Sequence, residues 1–219
     1  MAKTHRDKII EAFLALLAEK PFEQIGLAAI ADKAGVSLAD MRGEFGSTFD
    51  IIASFMREID RKVLAGGEGE DAEATARDRL FDVLMRRFEA LQPHREAVRS
   101  LARSAARHPR FAFALNRLAV RSQQWMLSAA GIDSAGVLGG LRAQALALIF
   151  ARVMRVWLDD DDPGLARTMA ELDRDLATGA RFANLLDEIS RLAPRCPPRR
   201  RTRDRGTRRT GPEPETMQA

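Results

Sequence analysis

Residues 27–51, LAAIADKAGVSLADMRGEFGSTFDI, decide the fold. The spacing predicts a short helix over 27–33, with Ile30 and Ala31 turned inward. Ala34-Gly35-Val36-Ser37 follows. Gly35 has no Cβ and can take the left-handed conformation that ends a helix. Ser37 can cap the next helix by accepting a hydrogen bond from a free backbone N–H. Residues 38–45 then predict a third, very short helix. Two short helices joined by a glycine-containing turn make a helix-turn-helix.

Upstream, Ile9, Ile10, Phe13, Leu16 and Leu17 recur at three-and-four spacing and predict a helix over about residues 4–19. Thr4 with Asp7 resembles a capping box, and Pro21 stops the helix. Downstream, a fourth helix runs from 47 towards 64. Gly66-Gly67-Glu68-Gly69-Glu70-Asp71 reads as a flexible acidic hinge. The expected organisation is a head over 1–64, a hinge over 65–71, a helical body over 72–193 and a disordered basic tail over 194–219. Body helices are expected at 72–91, 93–107, 109–130 and 137–158, with a last one after Pro163-Gly164. Pro93 and Pro109 sit as helix starters, and Gly139-Gly140 as a weak point. Tyr is absent, and there is no run of β-branched or aromatic residues bounded by turns, so the fold class is all-α: a three-helix head on a body of about six helices.

The formal charge of +4 divides unevenly. Residues 194–219 hold eight Arg against Asp204, Glu213 and Glu215, leaving 27 basic and 28 acidic groups in 1–193. The single cysteine, Cys196, lies in that tail and can form no intramolecular disulfide. His5, His94 and His108 have no metal-ligand spacing, so no metal site and no cofactor is expected. There is no glycine-rich phosphate loop and no Ser-His-acid set, which argues against an enzyme. The Asp159–Asp162 run reads as a solvated helix end. The longest strongly apolar stretch, 143–158, is interrupted by Arg152 and Arg155, so the expectation is a soluble, cytoplasmic protein without stable membrane insertion.

Over residues 6–60 the chain resembles TetR-family transcriptional regulators. Ile30-Ala31, Ala34-Gly35-Val36-Ser37, Phe45, Gly46-Ser47 and Ile51 carry the resemblance in order and spacing. It implies operator DNA as partner, a repressor role, and a homodimer through the last two long helices. The DNA-contacting set it implies here is Lys3, Arg6, Lys33, Ser37, Leu38, Ala39, Asp40 and Arg42, with His5 and Lys8 nearby. Three positions depart from the family pattern: Asp40 stands where a threonine is usual, Arg42 where a tyrosine is, and Thr48 where a lysine opens the fourth helix. Each missing phosphate contact weakens the counterion-release part of DNA affinity. The head, residues 1–64, has nine basic and ten acidic groups, an acid-leaning balance for a DNA reader.

In the body, Phe81, Met85, Phe88, Leu101, Trp125, Met126, Phe150, Met154 and Trp157 fall on apolar faces. Each alone is more often core; together they read as the lining for a small apolar or lipid-like effector. Leu165, Met169, Leu172, Leu176, Gly179, Ala183 and Leu186 alternate four and three and make a helix seam, for a second copy or for the chain's own core. Residues 77–175 also resemble, more loosely, lipid-binding accessory proteins of coenzyme Q biosynthesis, through Trp125, Trp157-Leu158-Asp159, Asp162-Pro163, Thr168 and Leu172-Asp173-Arg174. That resemblance implies an isoprenoid ligand and a head that has stopped reading DNA.

Overall fold

Capping side chains set the first elements of the computed structural model, which describes residues 3–67 and 74–192, with side chains to residue 179. Thr4 caps α1 (His5–Glu19), and Asp7 bonds back to the Thr4 backbone, completing the box. After a 3₁₀ turn at Phe22–Gln24 come α2 (Leu27–Ala34) and α3 (Leu38–Glu44). Gly35 sits at φ 65°, ψ 38°, and Val36 N–H donates to Ala31 O while Gly35 N–H donates to Asp32 O. The turn is thus closed by backbone bonds that only a left-handed residue permits cheaply. Ser47 caps α4 (Thr48–Ala65).

The body comprises α5 (Ala76–Leu91), α6 (Arg95–Arg107), α7 (Pro109–Ala129), α8 (Gly136–Leu158) and α9 (Ala166–Leu192). Among the described residues there are nine α-helices and no strand. Two helix starts and one weak point differ from expectation. Thr75, not the hinge end, caps α5. Pro93 lies in a 3₁₀ turn, Gln92–His94, so α6 starts two residues later than the proline suggested. Gly139 and Gly140 lie inside α8, and Gly139 is buried where a Cβ would collide with the Ser134 backbone. That glycine permits a close approach of the preceding loop and does not break the helix. Hinge residues 68–71, Ala183, Leu186, Cys196 and the basic tail lie outside what is described of backbone or side chain.

One apolar core runs from Ile9 in α1 to Leu176 in α9. Phe22 stacks on Phe111 at 4.3 Å, Phe22 N–H donates to Ser104 Oγ, and Ser104 Oγ donates to Glu23. These contacts seat the head on α6 and α7, while α4 packs against α5 and α7. The seam on α9 turns inward: Leu165, Leu172 and Leu176 are buried, and α9 packs on α8 and α5. Over its described side chains the seam therefore serves the chain's own core, with Met169 left outside. The apolar stretch expected at 143–158 belongs to a longer helix: α8, with 23 residues and a mean hydropathy of 1.5 in its most apolar window, is long and apolar enough to cross a membrane by length and composition, yet packs between α7 and α9.

The acidic run after α8 is exposed at Asp159, Asp161 and Asp162, as a solvated helix end would be, but not at Asp160. Asp160 is fully buried and accepts hydrogen bonds from Thr168 N–H (2.9 Å) and Thr168 Oγ1 (2.7 Å). Asp162 accepts from Gly164 and Ala166 N–H at the start of α9. Asp159 pairs with Arg99 on α6 at 2.9 Å. The run is a turn-building device that joins α8, α9 and α6.

Candidate nucleic-acid interface

Helix α3 is locked at its first turn. Ser37 Oγ accepts from Asp40 N–H (3.0 Å), and Asp40 Oδ2 accepts from Ser37 N–H and Oγ (3.3 and 2.6 Å). The Ser37 hydroxyl, then its backbone N–H, hold the Asp40 carboxyl below the ordinary aspartate value, so the cap is charged at neutral pH. Asp40, which replaces a DNA-contacting threonine in the resemblance, works here as a cap. A reciprocal cap is worth about 1 kcal/mol to a seven-residue helix that has little other local support.

The cations expected at DNA are engaged within the chain. Lys3 pairs with Glu11 and Lys33 with Glu19, both at 2.7 Å. Arg42 donates to Gly46 O at 3.2 Å and stays exposed. Arg6 is tied more firmly: it donates to Ser54 Oγ at 2.6 Å, lies 3.7 Å from Glu44, and its guanidinium stands 4.8 Å from the centre of the Phe45 ring. It bridges α1, α3 and α4. Sequence reading missed Ser54 and Glu44 as its partners, because no local pattern links residues 48 and 38 positions apart. Met41 and Phe45 face the mini-core, whereas Leu38, at 57% exposure, and Ala39 point to solvent. Leu27 on α2 is also exposed, at 46%. The outer surface of the helix-turn-helix thus combines apolar side chains with cations held in weak surface pairs.

The residues expected to line an effector site separate into two groups. Phe88 stacks on Phe150 at 4.6 Å and lies 5.7 Å from Trp157, whose indole N–H donates to Gln92. Met85, Leu101 and Met126 are buried with them, and Phe81 and Met154 are half-buried at the edge. Trp125 departs from this layer: it is 61% exposed on the outer side of α7, beside a shallow hollow of about 300 Å³ lined by Gln124, Ser128 and Ser134. The i, i+4 row of Phe113, Arg117, Arg121 and Trp125 runs along that outer face, opposite Ser122 and Met126. Within the layer a charged pair is buried: Arg87 on α5 contacts Asp60 on α4, and Ser122 on α7 donates to the same carboxylate at 2.7 Å. The Arg87 guanidinium lies 5.3 Å from the Phe150 ring centre. Among the described residues no cluster of His, Cys, Asp and Glu has metal-site geometry.

A head of this build on a helical body is found in solved structures of TetR-type regulators. A TetR transcriptional regulator from Nitrosomonas europaea matches with a TM-score of 0.63 at 23% identity, over 81% of this chain and 99% of that one. One from Rhodococcus sp. RHA1 matches at 0.56 and 21%, over 80% and 95%, and one from Streptomyces coelicolor at 0.54 and 15%, over 86% and 85%. No protein-family model matches the chain, and no curated protein sequence matches it. The chain has the fold of the TetR-family transcriptional regulators.

Proposed function

We propose that this chain is a transcriptional regulator of the TetR type, a repressor that binds operator DNA as a homodimer and responds to a small apolar or lipid-like effector in its body. The observation that carries the reading is the capped α3, set by the left-handed Gly35 on the outside of a head that is seated on α6 and α7. Lys3 and Lys33 would serve phosphates by exchanging Glu11 and Glu19 for them, since exposed ion pairs are worth only about 0–1 kcal/mol. Arg42 keeps donors free for a phosphate or a guanine.

A two-fold dimer through α8 and α9 would cover Leu141 and Leu148, which are exposed on α8, together with Met169 on α9. The effector would enter the layer of Phe88, Phe150 and Trp157, where Met85, Met126 and Met154 can repack around an irregular shape. Such a protein works in the cytoplasm, needs no cofactor and performs no catalysis. The lipid-accessory reading is the weaker one, because the helix-turn-helix retains its turn, cap and mini-core. Mobility-shift titration against DNA flanking the coding region, at rising salt, tests the function. Arg42→Ala should weaken operator binding, and a chain that shows no preference for any duplex at low salt would defeat the reading.

A further inference from the structure

We propose that the sequence preference of this head comes chiefly from apolar contact between Leu38 and Ala39 and the 5-methyl groups of thymines in the major groove. The inference rests on the DNA-reading function proposed above. Its basis is what the recognition helix has left to offer. Ser37 and Asp40 are consumed by their reciprocal cap. Met41 is buried, and Phe45 closes the helix onto the mini-core. Arg42, with one Nη bonded to Gly46 O, keeps donors that a phosphate would take, and Glu44, which lies 3.7 Å from Arg6, is an acceptor that phosphates would repel. The side chains at the outward start of α3 are therefore a leucine and an alanine.

A leucine more than half exposed on a seven-residue helix contributes little to the fold it stands on. In the major groove, the thymine methyl is the one apolar feature by which a base pair differs from the others. Leu38 and Ala39 match that feature and no hydrogen-bonding edge. The acid-leaning head fits the same picture, since phosphate attraction is weak and discrimination then depends on short-range contacts at the base edges.

The test uses the full chain and duplexes recovered by it from a randomised library. The recovered half-sites should contain a thymine at a fixed position, and replacing that thymine by uracil, which removes only the methyl, should weaken binding about fourfold per contacted methyl. Leu38→Ala should fold normally, as judged by helicity and melting, and should bind thymine and uracil duplexes with nearly equal affinity. Arg42→Ala should weaken both duplexes by the same factor. Wild-type binding that is sequence-selective but indifferent to uracil overturns the proposal, as does a Leu38→Ala chain that keeps the full thymine preference. A library that yields no preferred sequence defeats the DNA-reading function itself, and this proposal with it.

Discussion

The caps that start the head's helices find their partners three residues away, whereas the buried polar groups between α4 and the body find theirs across the chain. Thr4 with Asp7, Ser37 with Asp40 and Ser47 with Asp50 are each cap and neighbour. Where α4 meets the body, Asp60 binds Arg87 and Ser122; within the body, Trp157 meets Gln92 and Asn116 exchanges two hydrogen bonds with Gln144. The first kind of bond decides where a helix begins, and each is exposed, replaceable and modest in energy. The second kind decides how helices sit against one another. Where it is buried, as at Asp60, losing one partner leaves the other without compensation.

The largest effect should come from the buried pair. Asp60→Ala would strand Arg87, whose Nε already lacks an acceptor, against the Phe150 ring, and should cost about 3–5 kcal/mol in a denaturant titration. The double replacement Asp60→Leu with Arg87→Met should recover most of that loss, since apolar residues of similar volume often substitute for a buried pair without penalty. Because the pair joins α4, which begins just after the recognition helix, to α5 in the body, the double variant should also respond less to any effector. If Asp60→Ala costs less than about 1 kcal/mol, the contrast between head and body is wrong.

The Asp160 turn comes next. Burial pushes its carboxyl up, but the Thr168 hydroxyl and N–H, the Asp162 N–H and the charge of Arg167 together hold it below the ordinary aspartate value. A pKa lowered by folding stabilises the fold above the unfolded-state pKa, and that contribution is lost as pH falls through the folded-state pKa. Asp160→Asn should therefore cost about 1.5–3 kcal/mol at neutral pH. The gap between variant and wild type should narrow once pH drops below about 4, near the unfolded aspartate pKa. A gap that stays constant from pH 7 to acid would assign the role of Asp160 to shape instead of charge.

The two regions were also unequally legible. The head's helices, its left-handed glycine and its caps follow from residue types at short spacing, and the structure places each within a residue or two of its expected bounds. In the body, helical periodicity found the elements but not their partners. Trp125 and Trp157 look alike in a pattern of apolar residues, yet one is exposed and the other fully buried, since the face each occupies depends on neighbours far along the chain. Within the acidic run only Asp160 departs from a solvated helix end, for the same reason: Thr168, eight residues on, is what buries it. The Leu seam of α9 has a period that fits an intermolecular and an intramolecular partner equally, and only packing distinguishes them.

A smaller effect tests the head alone. Ser37→Ala removes the acceptor for Asp40 N–H and the hydroxyl bond to the Asp40 carboxylate, leaving only the bond from the residue-37 backbone N–H, and should cost about 1 kcal/mol. Because α3 is short, the loss should appear as local fraying, with faster amide exchange over residues 38–44 while α5 to α8 stay protected. Uniformly faster exchange would show that head and body unfold as one unit through the Phe22–Phe111 joint.

The smallest effect has the opposite sign. Gly43 lies inside α3, is exposed, and a Cβ built there meets nothing within 4 Å. The fold has no steric use for the glycine, which lowers helix stability by up to about 1 kcal/mol relative to alanine. Gly43→Ala should therefore raise the melting temperature of the head, opposite in direction to Ser37→Ala and no larger. Gly43 also follows Ala39 by four residues, so a methyl there stands on the same outward face that would meet the base edges. Operator affinity should fall while stability rises, a split that pure packing would not produce. Higher stability with unchanged affinity would remove Gly43 from the DNA-facing surface, and lower stability would mean that α3 is held by contacts other than its own helix propensity and cap.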